Sequence, residues 1–108
     1  MAIIHQLRLW WKTHRRGKVA DSNGGFFLKD GSMLSPDAAY LSPETLAGIP
    51  PAGVTGLPQL CPDFVIELLS GSDSFHDTQE KMQDWIANGA ALGWLIDPYK
   101  QQVLVYRP

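Results

Sequence analysis

The chain has 108 residues, of which 44% are hydrophobic and 19% charged, with a formal net charge of -2. That length fits one domain. The aromatic share of 10% does not suit a disordered chain, and the near-neutral balance argues against a uniformly basic nucleic-acid binder. No apolar run approaches the ~20 residues of a membrane span and no signal peptide is expected. The single cysteine, Cys61, leaves no partner for an internal disulfide or a cysteine-based zinc finger. A reducing cytoplasm is the expected compartment.

Taken in chain order, residues 2–15 read as an amphipathic helix. Ile3, Ile4, Leu7, Trp10 and Trp11 recur at spacings of three and four, which gather on one side at 3.6 residues per turn. Gly17 is a plausible stop, and Arg15 and Arg16 suit the negative end of the helix dipole. Five of the nine cations, Arg8, Lys12, Arg15, Arg16 and Lys18, lie in the first 18 residues with no acid before Asp21. They read either as a solvated helix face or as a phosphate-facing patch. Short strands follow at Val19–Ala20 and Phe26–Leu28, then a hairpin signal at Asp30-Gly31. Met33-Leu34 leads to Pro36-Asp37 and the apolar run Ala38–Leu41. Residues 42–62 hold five prolines and three glycines and read mostly as loop, with Ser42-Pro43-Glu44 able to cap a helical turn.

The second half is more strongly patterned. Phe64–Leu69 resembles a central strand covered on both faces, interrupted only by Glu67. Residues 77–88 read as a helix, with Asp77 and Glu80 in capping-box spacing and Gly89 after the last turn. Leu92–Ile96 and Gln102–Tyr106 read as strands joined by a turn at Asp97–Lys100. The order predicts a mixed α+β layer around one sheet.

Glu67 is the residue that asks for an explanation. A carboxylate in a buried strand is costly unless it is paired, protonated or bound to metal. Alternation puts Asp63 and Glu67 on one face, but ~13 Å apart along the strand, too far to share one ion. A second carboxylate must come from a neighbouring strand, and Asp37 is the natural candidate. On the following helix Asp77, Lys81 and Trp85 are spaced one turn apart. On spacing alone Asp77 and Lys81 read as an exposed helix ion pair. His5, His14 and His76 lack ligand spacing, and Trp10, Trp11, Trp85 and Trp94 read as core or dimer-contact residues.

These segments together resemble the Uma-two family of restriction-endonuclease-like proteins, in the PD-(D/E)XK superfamily. Phe26–Leu28, Asp30-Gly31 and Ser35-Pro36-Asp37 resemble its hairpin. Pro62 to Ser70 resembles its "P-D-hydrophobic-E-hydrophobic-hydrophobic-S" strand. Asp77, Lys81 and Trp85 resemble its helix, with Trp85 where the family more often has tyrosine. Gly93–Pro98 and Val103–Tyr106 resemble its closing hairpin. The resemblance implies a restriction-endonuclease-like fold and a metal-dependent endonuclease acting on DNA. It implies Asp37 and Glu67 as ligands of Mg²⁺ or Mn²⁺, with the Leu68 carbonyl as a further ligand and Lys81 assisting the attacking water. Asp63 and Asp77 would support the site. Leu69 stands where a lysine is usual in the superfamily, which is why the role passes to Lys81. Family members usually carry a further N-terminal region, so the chain is expected to be a single, N-terminally short domain. The alternative is an inactive relative that binds nucleic acid or protein, or a structural domain whose Glu67 is satisfied by Lys81. A homodimer is the expected assembly.

Overall fold

A computed structural model describes residues 2–14, 16–49 and 59–108. Helix α1 spans Ala2–His14, and the strands are β1 (Lys18–Asp21), β2 (Phe26–Phe27), β3 (Met33–Leu34), β4 (Ala38–Leu41), β5 (Phe64–Leu68), β6 (Leu92–Asp97) and β7 (Gln102–Tyr106). A one-turn helix α2 covers Pro43–Ala47 and the long helix α3 covers Phe75–Ala87. Five strands form one sheet in the order β1-β4-β5-β6-β7, and β2 and β3 form a separate hairpin. Only the β5–β6 pair is parallel, because α3 carries the chain across between them; the other pairs are antiparallel. The expected mixed α+β layer with helices on a central sheet is what the chain adopts.

Alternation along the central strands divides the core between two faces. On one, Ala39, Leu41, Val65, Leu69 and Leu95 pack with Met82 and Trp85 of α3, closed at one side by Phe26 and Leu28 of the hairpin arm. On the other, Ala38 and Ile66 pack with Ile4 of α1, flanked by Leu7, Val19, Phe64, Trp94 and Ile96. The two helices therefore lie on opposite faces of the sheet. Each fully buried aliphatic side chain contributes roughly 1.5–3 kcal/mol, so both faces are needed to hold a domain of this size.

The ends of the elements follow local chemistry. Gly17 ends α1 in the left-handed region at φ 74°, and a Cβ there would run into the Leu41 carbonyl. Ser42 caps α2 by accepting from the Thr45 N–H, as its place before Pro43 suggests. Helix α3 begins two residues earlier than the spacing of Asp77 and Glu80 indicates. Its cap is Ser74, whose Oγ accepts from the Asp77 N–H, so Asp77 stands inside the first turn rather than at the cap. Of the four tryptophans, Trp85 is fully buried while Trp10 is 42% exposed. Further exposed apolar surface comes from Leu9, Tyr99, Val103 and Val105. No helix of the described residues is long and apolar enough to cross a membrane.

Candidate functional site

The antiparallel register of β4 and β5 pairs Ala38 with Ile66, so Asp37, one residue before β4, comes opposite Glu67. Pro36, fully buried, fixes the approach to that position. The Asp37 backbone N–H donates to Glu67 Oε1 at 3.3 Å, and the Leu68 N–H donates to Asp37 Oδ2 at 2.7 Å. Each carboxylate is thus tied to the other's strand, and the two line one pocket. Its volume is about 360 Å³, and Leu68, Ser70, Asp73, Thr78 and Lys81 complete the wall.

Helix α3 supplies the other half. Lys81 and Trp85 are four residues apart and so point the same way. Both reach a single oxygen of Glu67: Lys81 Nζ donates to Oε2 at 2.9 Å and the Trp85 indole N–H donates to it at 3.0 Å. Lys81 also donates to the Ser35 carbonyl at 2.8 Å, which ties the approach to β4 onto α3. The Trp85 ring is held edge-on by Phe26, with centroids 6.1 Å apart. Glu67 itself is 3% exposed. Burial pushes its carboxyl above the usual carboxylate range; the donors on Lys81 and Trp85 pull against this, and the Asp37 charge adds to the rise.

Among the described residues no three His, Cys, Asp or Glu side chains come together to hold a metal ion. The oxygen donors gathered at the pocket are the facing carboxylates of Asp37 and Glu67 beside the main chain of Leu68, with Asp73, Ser70 and Thr78 further along the wall. That set is all hard oxygen, and it suits a divalent ion such as Mg²⁺ that keeps several of its waters.

The remaining candidates fall elsewhere. Asp63 sits at the opposite end of β5, where Oδ2 accepts from the Ser42 N–H at 2.7 Å and Oδ1 from the Thr45 hydroxyl at 2.8 Å. It fastens α2 to the sheet and lines no part of the pocket. Asp63→Ala is accordingly expected to lower stability by about 1–3 kcal/mol, read by denaturant unfolding, with divalent-ion affinity unchanged within twofold. Asp77 is exposed, and Lys81 pairs with Glu67 in place of the i,i+4 partner that the helix spacing offers. Of the five N-terminal cations, Arg15 lies outside the described residues. Arg8 pairs with Asp21 at 2.9 Å, and Arg8, Lys12 and Lys18 border a second concavity beside Trp11 and Leu46. Arg16 is exposed between α1 and β1. Arg8 and Lys12 belong to α1, on the face of the sheet opposite α3, whereas Lys18 on the edge strand β1 is in register with Leu41 of the α3-side core.

Sequence reasoning missed Ser70, Asp73 and Thr78 as pocket residues and treated Trp85 as packing alone. The turn spacing of Lys81 and Trp85 was the available signal for the indole. Asp73 carries no such signal, because this exposed residue is set beside the pocket by accepting from the Ser70 N–H within its own loop.

Comparison with known proteins bears on the family and the fold. Residues 2–108 match the family described as "Uma2: Putative restriction endonuclease". A solved structure described as "a putative nuclease belonging to DUF820 from Anabaena variabilis" superposes with a TM-score of 0.74 at 25% identity. The match covers 99% of this chain and 57% of that one, so the chain spans little more than half the length of this relative. The search of curated proteins returns no match. The sheet flanked by helices is the restriction-endonuclease-like architecture.

Proposed function

The chain belongs to the Uma2 family, and from that membership we propose that it hydrolyses phosphodiester bonds of DNA as a divalent-metal-dependent endonuclease. The observation that carries the reading is the buried Glu67 carboxylate set opposite Asp37, with an ammonium 2.9 Å away and a pocket in front. Nothing in packing calls for two carboxylates on one wall; a cation-binding site does. Asp37, Glu67 and the Leu68 carbonyl would hold Mg²⁺ or Mn²⁺, which when bound neutralises phosphate charge and lowers the pKa of a coordinated water.

The chain's own residues then divide the work. Asp37 and Glu67 give the pocket its negative potential, and the N–H groups of Asp37, Leu68 and Trp85 fix the direction of both carboxylates. Lys81 provides the only positive charge among the pocket's lining residues, able to meet a phosphate oxygen or orient a water. Ser70 and Thr78 offer hydroxyls at the mouth. Arg8, Lys12, Arg15, Arg16 and Lys18 form the proposed electrostatic contact with the DNA backbone.

The test is cleavage of supercoiled and linear DNA with Mg²⁺ or Mn²⁺. Cutting is expected in the native protein and is expected to be absent with chelator and in Lys81→Ala. Failure of the folded, metal-loaded protein to cut any DNA form would defeat the reading. The 2.9 Å pair between Lys81 and Glu67 also suits a non-catalytic relative. That second reading expects no cutting, with salt-sensitive DNA binding lost on charge reversal of Arg8 and Lys12.

A further inference from the structure

Two donors meet on Glu67 Oε2, and they differ in every respect that bears on cation binding. Trp85 is neutral, wholly buried and locked by Phe26, so its N–H cannot leave the oxygen without breaking the core. Lys81 is charged, its side chain is 32% exposed, and it has a second acceptor in the Ser35 carbonyl at 2.8 Å. When another cation takes its place on Glu67, it can remain anchored at the pocket wall through Ser35. Glu67 would meanwhile stay in place on the N–H groups of Trp85 and Asp37.

We propose that these two residues act in opposite directions on divalent-ion binding: Lys81 is a resident cation that holds Glu67 until a divalent ion displaces it, and Trp85 is the positioning residue that keeps Glu67 aimed after Lys81 has left. In the ion-free protein the buried Glu67 carboxylate then has Lys81 as its counter-charge. Loading the ion does two things at once, since it occupies the carboxylates and releases the ammonium into the pocket beside Ser70, Asp73 and Thr78. An ammonium and a divalent cation cannot share one carboxylate oxygen at close range without strong repulsion. Loss of a neutral donor that orients a ligand commonly weakens metal binding ten- to a hundredfold.

This inference rests on the proposed cation site and concerns how that site is governed. It is tested by calorimetric titration of the whole chain with Mn²⁺, beside a DNA-cleavage assay. Lys81→Met is expected to bind Mn²⁺ about tenfold more tightly than the native protein while cutting no DNA. Lys81→Arg, which keeps the charge, should bind within about threefold of native. Trp85→Phe, which removes only the N–H, should bind about tenfold more weakly. If both residues served merely to support Glu67, Lys81→Met and Trp85→Phe would weaken binding together, and that result overturns the proposal. Equal binding by native protein and Lys81→Met also overturns it, as does the absence of any Mn²⁺ binding. Should Trp85→Phe fail to fold, the sign of the Lys81→Met effect decides alone. Native protein that cuts DNA, with Lys81→Met binding no more tightly, refutes the inference and leaves the nuclease reading standing. The expected affinities without cutting refute the nuclease reading and leave the inference standing.

Discussion

Glu67→Gln is expected to abolish divalent-ion-dependent DNA cleavage, by about a thousandfold or more, while raising the melting temperature at neutral pH. The first part follows from charge. A neutral amide neither attracts the ion nor balances it, and the ion's effect on a phosphoryl transfer is worth several kcal/mol, with each 1.36 kcal/mol a factor of ten. The second part follows from burial. Glu67 is 3% exposed, and desolvation raises its folded-state pKa above the ordinary glutamate value of 4.5. A carboxyl that holds its proton more tightly folded than unfolded stabilises the fold fully below its unfolded pKa, and that contribution is lost as pH rises through the folded pKa. Glutamine imitates the protonated form at every pH and can still accept from Trp85 and Lys81. The melting-temperature difference, variant minus native, should therefore be small at pH 4 and grow as pH rises above the usual carboxylate range. Scanning calorimetry of the ion-free proteins across that range checks the sign. A difference that shrinks with rising pH would mean that the Lys81 pair outweighs desolvation.

The largest loss of stability is expected from Trp85→Ala. The indole is wholly buried between α3 and the sheet, against Phe26, and it is the largest of the fully buried side chains. Its removal leaves a cavity costing about 3–5 kcal/mol and also strips a donor from a buried carboxylate. A domain of this size has ~5–15 kcal/mol in all, and each kcal/mol moves the midpoint by about 4 °C. A fall on the order of 15 °C is therefore expected, or failure to fold at 37 °C. Trp85→Phe should fall much less, because it keeps most of the volume. A loss no greater than that of Trp85→Phe would show that the cavity collapses and that the indole does not hold α3 to the sheet.

How far the molecule could be read from its residues varies with the range of the interaction. The strands β5, β6 and β7 and helix α3 were legible because their apolar residues recur with the period of the element, and Gly17 was legible as a stop because few residues tolerate its backbone. The cap of α3 was misplaced. Ser74 and Asp77 both suit a cap, and the choice between them depends on the loop that delivers the chain rather than on the helix. The pairing of Asp37 with Glu67 was legible as a requirement, since a buried acid needs company and one strand could not supply it. What satisfies Glu67 was only half legible. Local spacing offered Asp77 as the partner of Lys81, but an exposed carboxylate gains little from an ammonium while a buried one gains a great deal, so the pair forms with Glu67 across 14 positions of sequence. The donor role of Trp85 depends on the crossing of α3 over β5; its one-turn spacing from Lys81 marks the side of the helix but not the acceptor. Likewise, the cluster of N-terminal cations could be counted in the sequence. That α1 lies on the opposite face of the sheet from α3 emerged only when Ile4 was found packed on Ala38 and Ile66.

The central claim is that Asp37 and Glu67 form a divalent-cation site in which Lys81 is the occupant to be displaced. Anomalous scattering from a crystal of the full chain soaked in Mn²⁺ tests it most directly. The claim predicts a single ion bound by oxygens of both carboxylates at ~2.2 Å, with Lys81 withdrawn from Glu67 and the Trp85 N–H still on it. An ion found elsewhere, or no ion and an intact pair between Lys81 and Glu67 at saturating Mn²⁺, would contradict it.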